Sequence, residues 1–302
     1  MKYAIFSDVH ANVTALRKVL EDIRRHDVDK ILCLGDVVGY GPEAETAARI
    51  VREEVDECIM GNHDAAVAGA ISAADFSMTA LRGVKRHREE CSEETKQWLG
   101  ELAYFYSEKV KVKSEKVREE FVCAHGDLAR PEKFNYIMIP LEAYASYATR
   151  EEKLMFVGHT HFAAVFVLGT DGEVRSISIE GSEKVKVKSE KVKREESRDE
   201  VERVEKKVEQ IKLQEGCRYI VNVGSVGYPR HEPWTTYCLY DSEAKTISFY
   251  RLAFDFKEYA RQLTERGIEL PRWLERRISE EGRVKSEEVN GEVRGESGAV
   301  SL

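Results

Sequence analysis

Five short motifs within the first 161 residues each place metal-binding side chains directly after an apolar segment. Short apolar runs that end at Gly or Asp are typical of buried β-strands. Because the carboxyl ends of neighbouring strands share one edge of a sheet, this spacing predicts that the motifs meet at one site. They are Asp8-Val9-His10, Gly35-Asp36, Gly61-Asn62-His63-Asp64, His125-Gly126 and Gly158-His159-Thr160-His161.

The side chains of these motifs predict a two-metal centre. They offer imidazole, carboxylate and amide groups without a thiolate, a set that suits Mn²⁺, Fe, Zn²⁺ or Co²⁺. The set is too large for one ion, but if Asp36 bridges two ions it divides into two groups of four ligands. The predicted ligands are Asp8, His10, Asp36, Asn62, His125, His159 and His161.

A pair of cations indicates phosphoester chemistry. Two adjacent ions hold two oxygens of a phosphate ester and lower the pKa of a shared water, so that a metal-bridging hydroxide attacks phosphorus. The leaving group still needs a proton, and His63 is the predicted donor, with Asp64 beside it as the second predicted catalytic residue. Asn62 and Arg230 are the predicted substrate-binding residues, although the glycines and proline before Arg230 fit a purely structural turn equally well.

The ordered series of motifs resembles the calcineurin-like metallophosphoesterase superfamily, in particular its small bacterial and archaeal phosphodiesterase-type branch. That branch also carries a segment like residues 222–230 of this chain, and the resemblance covers about residues 1–106, 121–180 and 216–278. It implies an α/β fold in which a two-sheet β-sandwich is flanked by helices, giving four αββα layers.

The resemblance also implies which residues hold which ion. The candidate ions are Mn, Fe, Zn, Co and Ni, with Mn as the first choice in vitro. One ion would be bound by Asp8, His10, Asp36 and His161, and the other by Asp36, Asn62, His125 and His159.

Departures from the family pattern indicate which class of phosphoester the protein would hydrolyse. Protein serine/threonine phosphatases of this superfamily have an acidic residue and an arginine where this chain has Gly39 and Tyr40, and they have Glu in place of Asp64. These differences favour phosphodiester over protein substrates, with a small molecule or nucleotide as the substrate and phosphomonoesters as a secondary class. A Mn-dependent nuclease and a catalytically idle metal-binding scaffold are the alternatives. The net charge of −8 argues against a nucleic-acid-binding face.

We predict one metallophosphoesterase domain over residues 1–278. Low-complexity insertions interrupt it at about 107–120 and 181–215, where longer surface loops are tolerated at little cost in stability. The Gly-, Glu- and Ser-rich tail at 279–302 is predicted to be disordered.

The two insertions share a repeat, because residues 107–117 recur unchanged at 182–192. Its Lys-Val alternation is compatible with an extended hairpin, and the valine spacing further along predicts a helix at 196–214. These lysine-rich insertions are a candidate surface for contact with another protein.

Other features bear on location and on the remaining histidines. No apolar run approaches the ~20 residues of a membrane span, and the six cysteines form no C-x-x-C pair, which predicts a reduced, cytoplasmic protein. His26 and His87 lie in polar helical stretches and are predicted to be solvated. Residues 40–42 are predicted to be a turn that begins a helix.

Overall fold

The computed structural model describes residues 1–111, 118–179, 206–230 and 234–279. Its strands are β1 (Lys2–Phe6), β2 (Lys30–Cys33), β3 (Glu57–Cys58), β4 (Phe105–Lys111), β5 (Arg118–Ala124), β6 (Leu154–Val157), β7 (Ala163–Leu168), β8 (Val174–Ser178), β9 (Lys206–Lys212), β10 (Arg218–Val223), β11 (Trp234–Asp241) and β12 (Thr246–Ala253). Its helices are α1 (Val13–Ile23), α2 (Ala44–Glu54), α3 (Asn62–Ala68), α4 (Met78–Glu90), α5 (Glu93–Glu101), α6 (Pro140–Thr149) and α7 (Phe256–Glu265), and residues 272–279 are also helical.

The strands form two six-stranded sheets that pack face to face. Their order is β3-β2-β1-β11-β12-β9 in the first sheet and β4-β5-β6-β10-β7-β8 in the second. Within the first sheet β1 runs parallel to β2, and within the second β6 runs parallel to both β5 and β10. The predicted α/β sandwich with flanking helices is therefore confirmed.

Strand β1 shows how the sequence builds these layers. Tyr3 and Ile5 face the core between the sheets, whereas Ala4 and Phe6 face the helices, because successive side chains of a strand point to opposite faces. Tyr3 meets Phe121 of the other sheet edge-to-face, with ring centroids 5.0 Å apart. Helices α1 and α2 cover the outer face of the first sheet, and α6 covers that of the second.

The first insertion lengthens a β-hairpin. Residues 107–111 belong to β4 and pair with the start of β5, so that Glu108 lies opposite Phe121 and Lys111 opposite Arg118. The Lys-Val alternation is thus used as strand in the part of the insertion that the structure describes, which agrees with the hairpin alternative.

The helix predicted at 196–214 is wrong for residues 206–212, which form β9. β9 pairs antiparallel with β12, and Arg251 Nη2 donates to Glu209 Oε1 across the pair at 2.7 Å. The physical reason is a tertiary contact with β12. Without β9, the edge of β12 would present unpaired main-chain groups, and pairing them outweighs a local helical preference.

The second copy of the repeat, residues 196–205 and residues 280–302 lie outside the described residues. The part of the second insertion before residue 206 and the tail therefore stay predictions. In the parts of the chain that the structure describes, no helix combines the length and the apolar character needed to cross a bilayer.

Candidate metal centre

The five motifs meet at one edge of the sandwich. Each follows a strand of one of the two sheets, so their side chains converge although Asp8 and His159 lie 151 residues apart. Three overlapping groups have ligand atoms within 4.8 Å of one another, and every member is buried. The groups are Asp8, His10 and His161; Asp36, His125 and His159; and His10, Asp36 and His63.

The backbone at these positions is strained. Five of the nine non-glycine residues with positive φ in the described residues are predicted ligands. A left-handed conformation costs roughly 1–2 kcal/mol for an L-residue, and it persists only where the surroundings enforce it. Here the loops brace one another, since Asp8 N donates to Gly35 O at 3.0 Å and His10 N donates to Asp36 O at 2.9 Å.

Backbone carbonyls fix the orientation of three imidazoles. In each ring Nδ1 lies against a carbonyl oxygen, which can only accept a hydrogen bond, so Nδ1 carries the proton and the Nε2 lone pair points into the centre. The pairs are His10 Nδ1 with Val38 O at 3.1 Å, His125 Nδ1 with Leu34 O at 2.8 Å and His161 Nδ1 with Tyr228 O at 2.7 Å.

Each carboxylate uses one oxygen for the backbone and presents the other to the histidines. Asp8 Oδ2 accepts from His159 N at 2.9 Å, and Asp36 Oδ1 accepts from His63 N at 2.8 Å. Asp36 Oδ2 then lies 3.3 Å from His125 Nε2 and 3.7 Å from His10 Nε2. Asp36 therefore lies between the two main groups of ligands.

The donor set fits divalent cations. His10 Nε2 and His161 Nε2 face each other at 3.0 Å, and Asp8 Oδ1 lies 3.2 Å from His161 Nε2. These are all acceptor atoms, so either a proton or a cation has to lie between them. Asp8 Oδ1, Asn62 Oδ1 and His125 Nε2 are buried without any hydrogen-bond partner. Unsatisfied buried acceptors are costly unless an ion satisfies them.

The close approach of carboxylates and imidazoles also determines which of these groups are charged in the metal-free centre. Burial opposes ionisation of Asp8 and Asp36, but the neighbouring imidazoles hold the pKa of both carboxyls well below its ordinary value. Burial also disfavours a charged His125, yet Asp36 beside it raises the pKa of His125 to about 10. In the metal-free centre Nε2 of His125 therefore carries a second proton in the position of a cation, and metal binding must release this proton to free the Nε2 lone pair.

His63 and Asp64 lie beside the ligands, at the start of α3. The His63 ring contacts His10 and Tyr40 at centroid distances of 4.9 and 4.8 Å, and its Nδ1 is buried without a partner. Asp64 is committed to the backbone, because its oxygens accept from Val38 N at 3.2 Å and Gly61 N at 3.0 Å. These contacts suit a positioning role for Asp64, and its catalytic role stays a prediction.

Residues 222–230 brace the ligand loops. Asn222 Nδ2 donates to Gly158 O at 2.7 Å, Ser225 Oγ donates to Asp8 O at 3.0 Å, and the backbone of Gly227 donates to the same carbonyl at 2.9 Å. A Cβ on Gly227 would lie 1.7 Å from Val9 O, so only glycine allows this approach. The segment ends at Arg230, which is exposed at the rim, and His231 lies outside the described residues.

The prediction that His87 is solvated is wrong. His87 is fully buried on α4, where Nδ1 accepts from Gly39 N at 2.9 Å and Nε2 donates to Gly41 O at 3.0 Å. Burial lowers its pKa to about 3, so the ring is neutral. The buried face of α4 repeats at Ala80, Gly83, Val84 and His87, a helical spacing that could have identified it.

His87 fixes the loop behind His63. A Cβ on Gly39 would lie 2.2 Å from His63 Nδ1, so the loop touches the ring directly. The same loop places Tyr40 against His63, which makes Tyr40 part of the site as well as part of the turn before α2. Tyr40 stacks on Tyr228 with ring centroids 4.2 Å apart.

A helix-flanked two-sheet sandwich with a buried cluster of histidines and carboxylates is typical of metal-binding phosphoesterases. Comparison with known proteins gives the family. The family model of the calcineurin-like phosphoesterase superfamily domain matches residues 1–178, which is more than half of the chain. The protein belongs to the calcineurin-like phosphoesterase superfamily, which confirms the resemblance seen in its motifs.

Individual relatives agree over nearly the whole chain. An uncharacterized protein of Methanocaldococcus jannaschii is 27% identical over 276 residues, which cover 91% of this chain and 96% of that protein. The crystal structure of a metallophosphoesterase from Sphaerobacter thermophilus is similar with a TM-score of 0.66 and 26% identity, covering 91% of this chain and 97% of that one. A hypothetical protein from Pyrococcus horikoshii shares the fold, with a TM-score of 0.61, 17% identity and coverage of 90% and 95%.

Proposed function

We propose that this protein is a phosphoric ester hydrolase that uses two divalent cations to cleave phosphodiester bonds of a small-molecule or nucleotide substrate. The observation that carries the proposal is the set of acceptor atoms that face one another around Asp36. Membership of the superfamily supports ester hydrolysis as the reaction class. The replacement of the protein phosphatase pair by Gly39 and Tyr40 supports a diester.

Two ions would divide the ligands between them, with Asp36 common to both. Bound divalent cations supply Lewis acidity and a hydroxide nucleophile near neutral pH. Mn²⁺ is the proposed ion in vitro, since imidazole mixed with oxygen ligands suits Mn²⁺, Fe²⁺, Zn²⁺, Co²⁺ or Ni²⁺. One ion would be held by Asp8, His10 and His161, and the other by Asn62, His125 and His159.

His63 is the proposed proton donor to the leaving oxygen. Burial lowers its pKa to about 3 in the metal-free protein, so the ring is neutral there. A bound phosphate anion would raise that pKa, because a nearby negative charge favours the imidazolium. Arg230 and Asn62 are the proposed contacts for the phosphate oxygens, since a guanidinium and an amide both donate hydrogen bonds.

The proposal is tested by metal replacement. The protein is stripped with a chelator, reloaded with Mn²⁺, Fe²⁺, Zn²⁺, Co²⁺ or Ni²⁺, and assayed on bis(p-nitrophenyl) phosphate and p-nitrophenyl phosphate. We expect hydrolysis that depends on the added metal and is faster for the diester. Absence of hydrolysis with every metal would overturn the proposal and favour a metal-binding scaffold.

Two variants separate metal binding from proton donation. Asp36→Asn should lose bound metal and activity together, whereas Asp171→Asn on the surface should change neither. His63→Ala should retain its metal but hydrolyse a phenyl ester about 10²–10⁴-fold more slowly. The loss should be smaller for a p-nitrophenyl ester, which needs less help from an acid. An unchanged rate on the phenyl ester would contradict the acid role, and loss of metal would make His63 a ligand.

A cytoplasmic location and a protein contact through the lysine-rich insertions are further proposals. Deletion of residues 182–192 separates the contact from catalysis, because all five motifs lie outside this segment. Hydrolysis should survive the deletion, and loss of activity would show that the insertion serves the site itself.

A further inference from the structure

One aromatic residue lies on the metal centre without a role in it. The ring of Tyr136 stacks on the imidazole of the predicted ligand His159, with centroids 4.0 Å apart and an interplanar angle of 8°. His159 is only 6% exposed, but Tyr136 is 50% exposed. One face of the Tyr136 ring is therefore covered by the ligand, and the side chain stays open to solvent beyond it.

The loop that carries Tyr136 is tied to the fourth motif. Asp127 N donates to Asn135 O at 3.0 Å, and the Asn135 side chain donates back to the Asp127 carboxylate. A Cβ on Gly126 would lie 2.6 Å from Asn135 O, so the loop is held close to the His125-Gly126 pair. Tyr136 is thus positioned by the same segment that supplies a metal ligand, which preorganises its ring.

The surroundings of Tyr136 suit an organic group next to a phosphate. Arg230 and Asp36 both lie close enough to Tyr136 to act on it electrostatically. Five of the ten exposed large hydrophobic residues in the described parts of the chain lie in residues 136–144. A single exposed apolar residue is ordinary, but a concentration of them beside a site marks a binding surface.

The position of Tyr136 also indicates which ester group it would meet. The rings that contact the proposed acid His63 belong to His10, Tyr40 and Phe76. Tyr136 instead contacts His159. The leaving group is protonated at His63, so the group near Tyr136 is the one that stays on the phosphate.

We propose that Tyr136 is the stacking platform for a planar ring on the retained ester group, so that the substrates are phosphodiesters of a nucleoside rather than of a simple alkyl alcohol. This inference rests on the proposed function. Stacking of a base on an aromatic side chain tolerates any base, because every base has a π-face. The site therefore selects for a nucleoside without distinguishing which base it carries.

Two substrates with the same leaving group test the inference. They are the p-nitrophenyl ester of thymidine 5′-phosphate and methyl p-nitrophenyl phosphate, which differ only in the retained group. Tyr136→Ala should raise KM for the thymidine ester by about tenfold or more, given the strength of base stacking, and leave KM for the methyl ester unchanged. Tyr136→Phe should behave as the wild type. Val208→Ala is the control, because Val208 is an exposed apolar residue on β9, outside residues 136–144.

Metal content and equilibrium binding give readouts that do not depend on turnover. Calorimetry on the metal-loaded protein should show that Tyr136→Ala weakens binding of thymidine 5′-phosphate but not of methyl phosphate, with metal content unchanged. An equal loss for both ligands would mean that Tyr136 only supports His159, and the inference would be overturned. If neither ester is hydrolysed with any metal, the proposed function fails, and the calorimetric comparison still decides whether Tyr136 binds a nucleoside.

Discussion

We predict that the buried, neutral His87 makes the metal-free protein less stable in mild acid. Its ring is neutral in the folded protein, because burial lowers the pKa from the ordinary 6.5 to about 3, with Arg86 acting in the same direction. His10 and Arg266 also favour the neutral form of His87, whereas the hydrogen bond to the Gly41 carbonyl opposes it. Replacement by Gln keeps one donor and one acceptor for Gly39 and Gly41 but removes the titration.

Proton linkage gives the direction and the size of the change in the free energy of unfolding. Between pH 6.5 and pH 3 the unfolded chain binds a proton at His87 that the folded protein does not bind, so stability is fully present above pH 6.5 and falls as the pH falls. From pH 7.5 to pH 4.5 the interval below 6.5 is about 2 pH units, which corresponds to a loss of about 3 kcal/mol. His87→Gln should lack this loss.

The assay is urea unfolding of wild-type and His87→Gln protein in EDTA at pH 7.5 and pH 4.5. The free-energy difference between the two proteins should shift by about 3 kcal/mol in favour of the variant at the lower pH. An identical difference for His87→Gln at both pH values would refute the assignment of a buried neutral ring.

Two further predictions concern the same structure. Gly39→Ala should abolish most activity in the diester assay, because the new Cβ would lie 2.2 Å from His63 Nδ1. Gly69→Ala is the control. Gly69 also has a positive φ, but its Cβ would meet no atom within 4 Å, so the variant should lose stability without losing activity. Tyr237→Phe should lower the free energy of unfolding by roughly 1–3 kcal/mol, because the buried Tyr237 Oη donates to Asp22 Oδ2 at 2.7 Å. Its kcat should stay unchanged, and a wild-type stability would show that water replaces the bond.

Much of the site could be predicted from local sequence. An apolar strand followed by Asp, Asn or His is recognisable over a few residues, and sheet geometry then implies that the strand ends meet. For this reason the sequence predicts a single site for the motif side chains, and the structure brings Asp8, His10, Asp36, His63, His125, His159 and His161 together. The division of the sandwich into two sheets came from the family resemblance rather than from any single strand.

Other features depended on contacts between distant segments. Residues 206–212 have a helix-like spacing, but they lie beside the edge of β12 and become strand. His87 has polar neighbours in sequence, yet α4 turns it toward Gly39, 48 residues away. Tyr136 gives no motif signal at all, and only the loop that carries it places its ring on His159.

By itself, the sequence determined the chemistry that this protein brings to its site, because ligand type and strand position are local properties. The tertiary structure alone decided which atoms face one another, which carboxylate oxygen stays free and which histidine is neutral. Those outcomes depend on burial and on backbone carbonyls from other loops, such as those of Val38 and Tyr228 behind the ligand imidazoles. No short stretch of residues encodes them, because the field at each group is the sum of contributions from the whole fold.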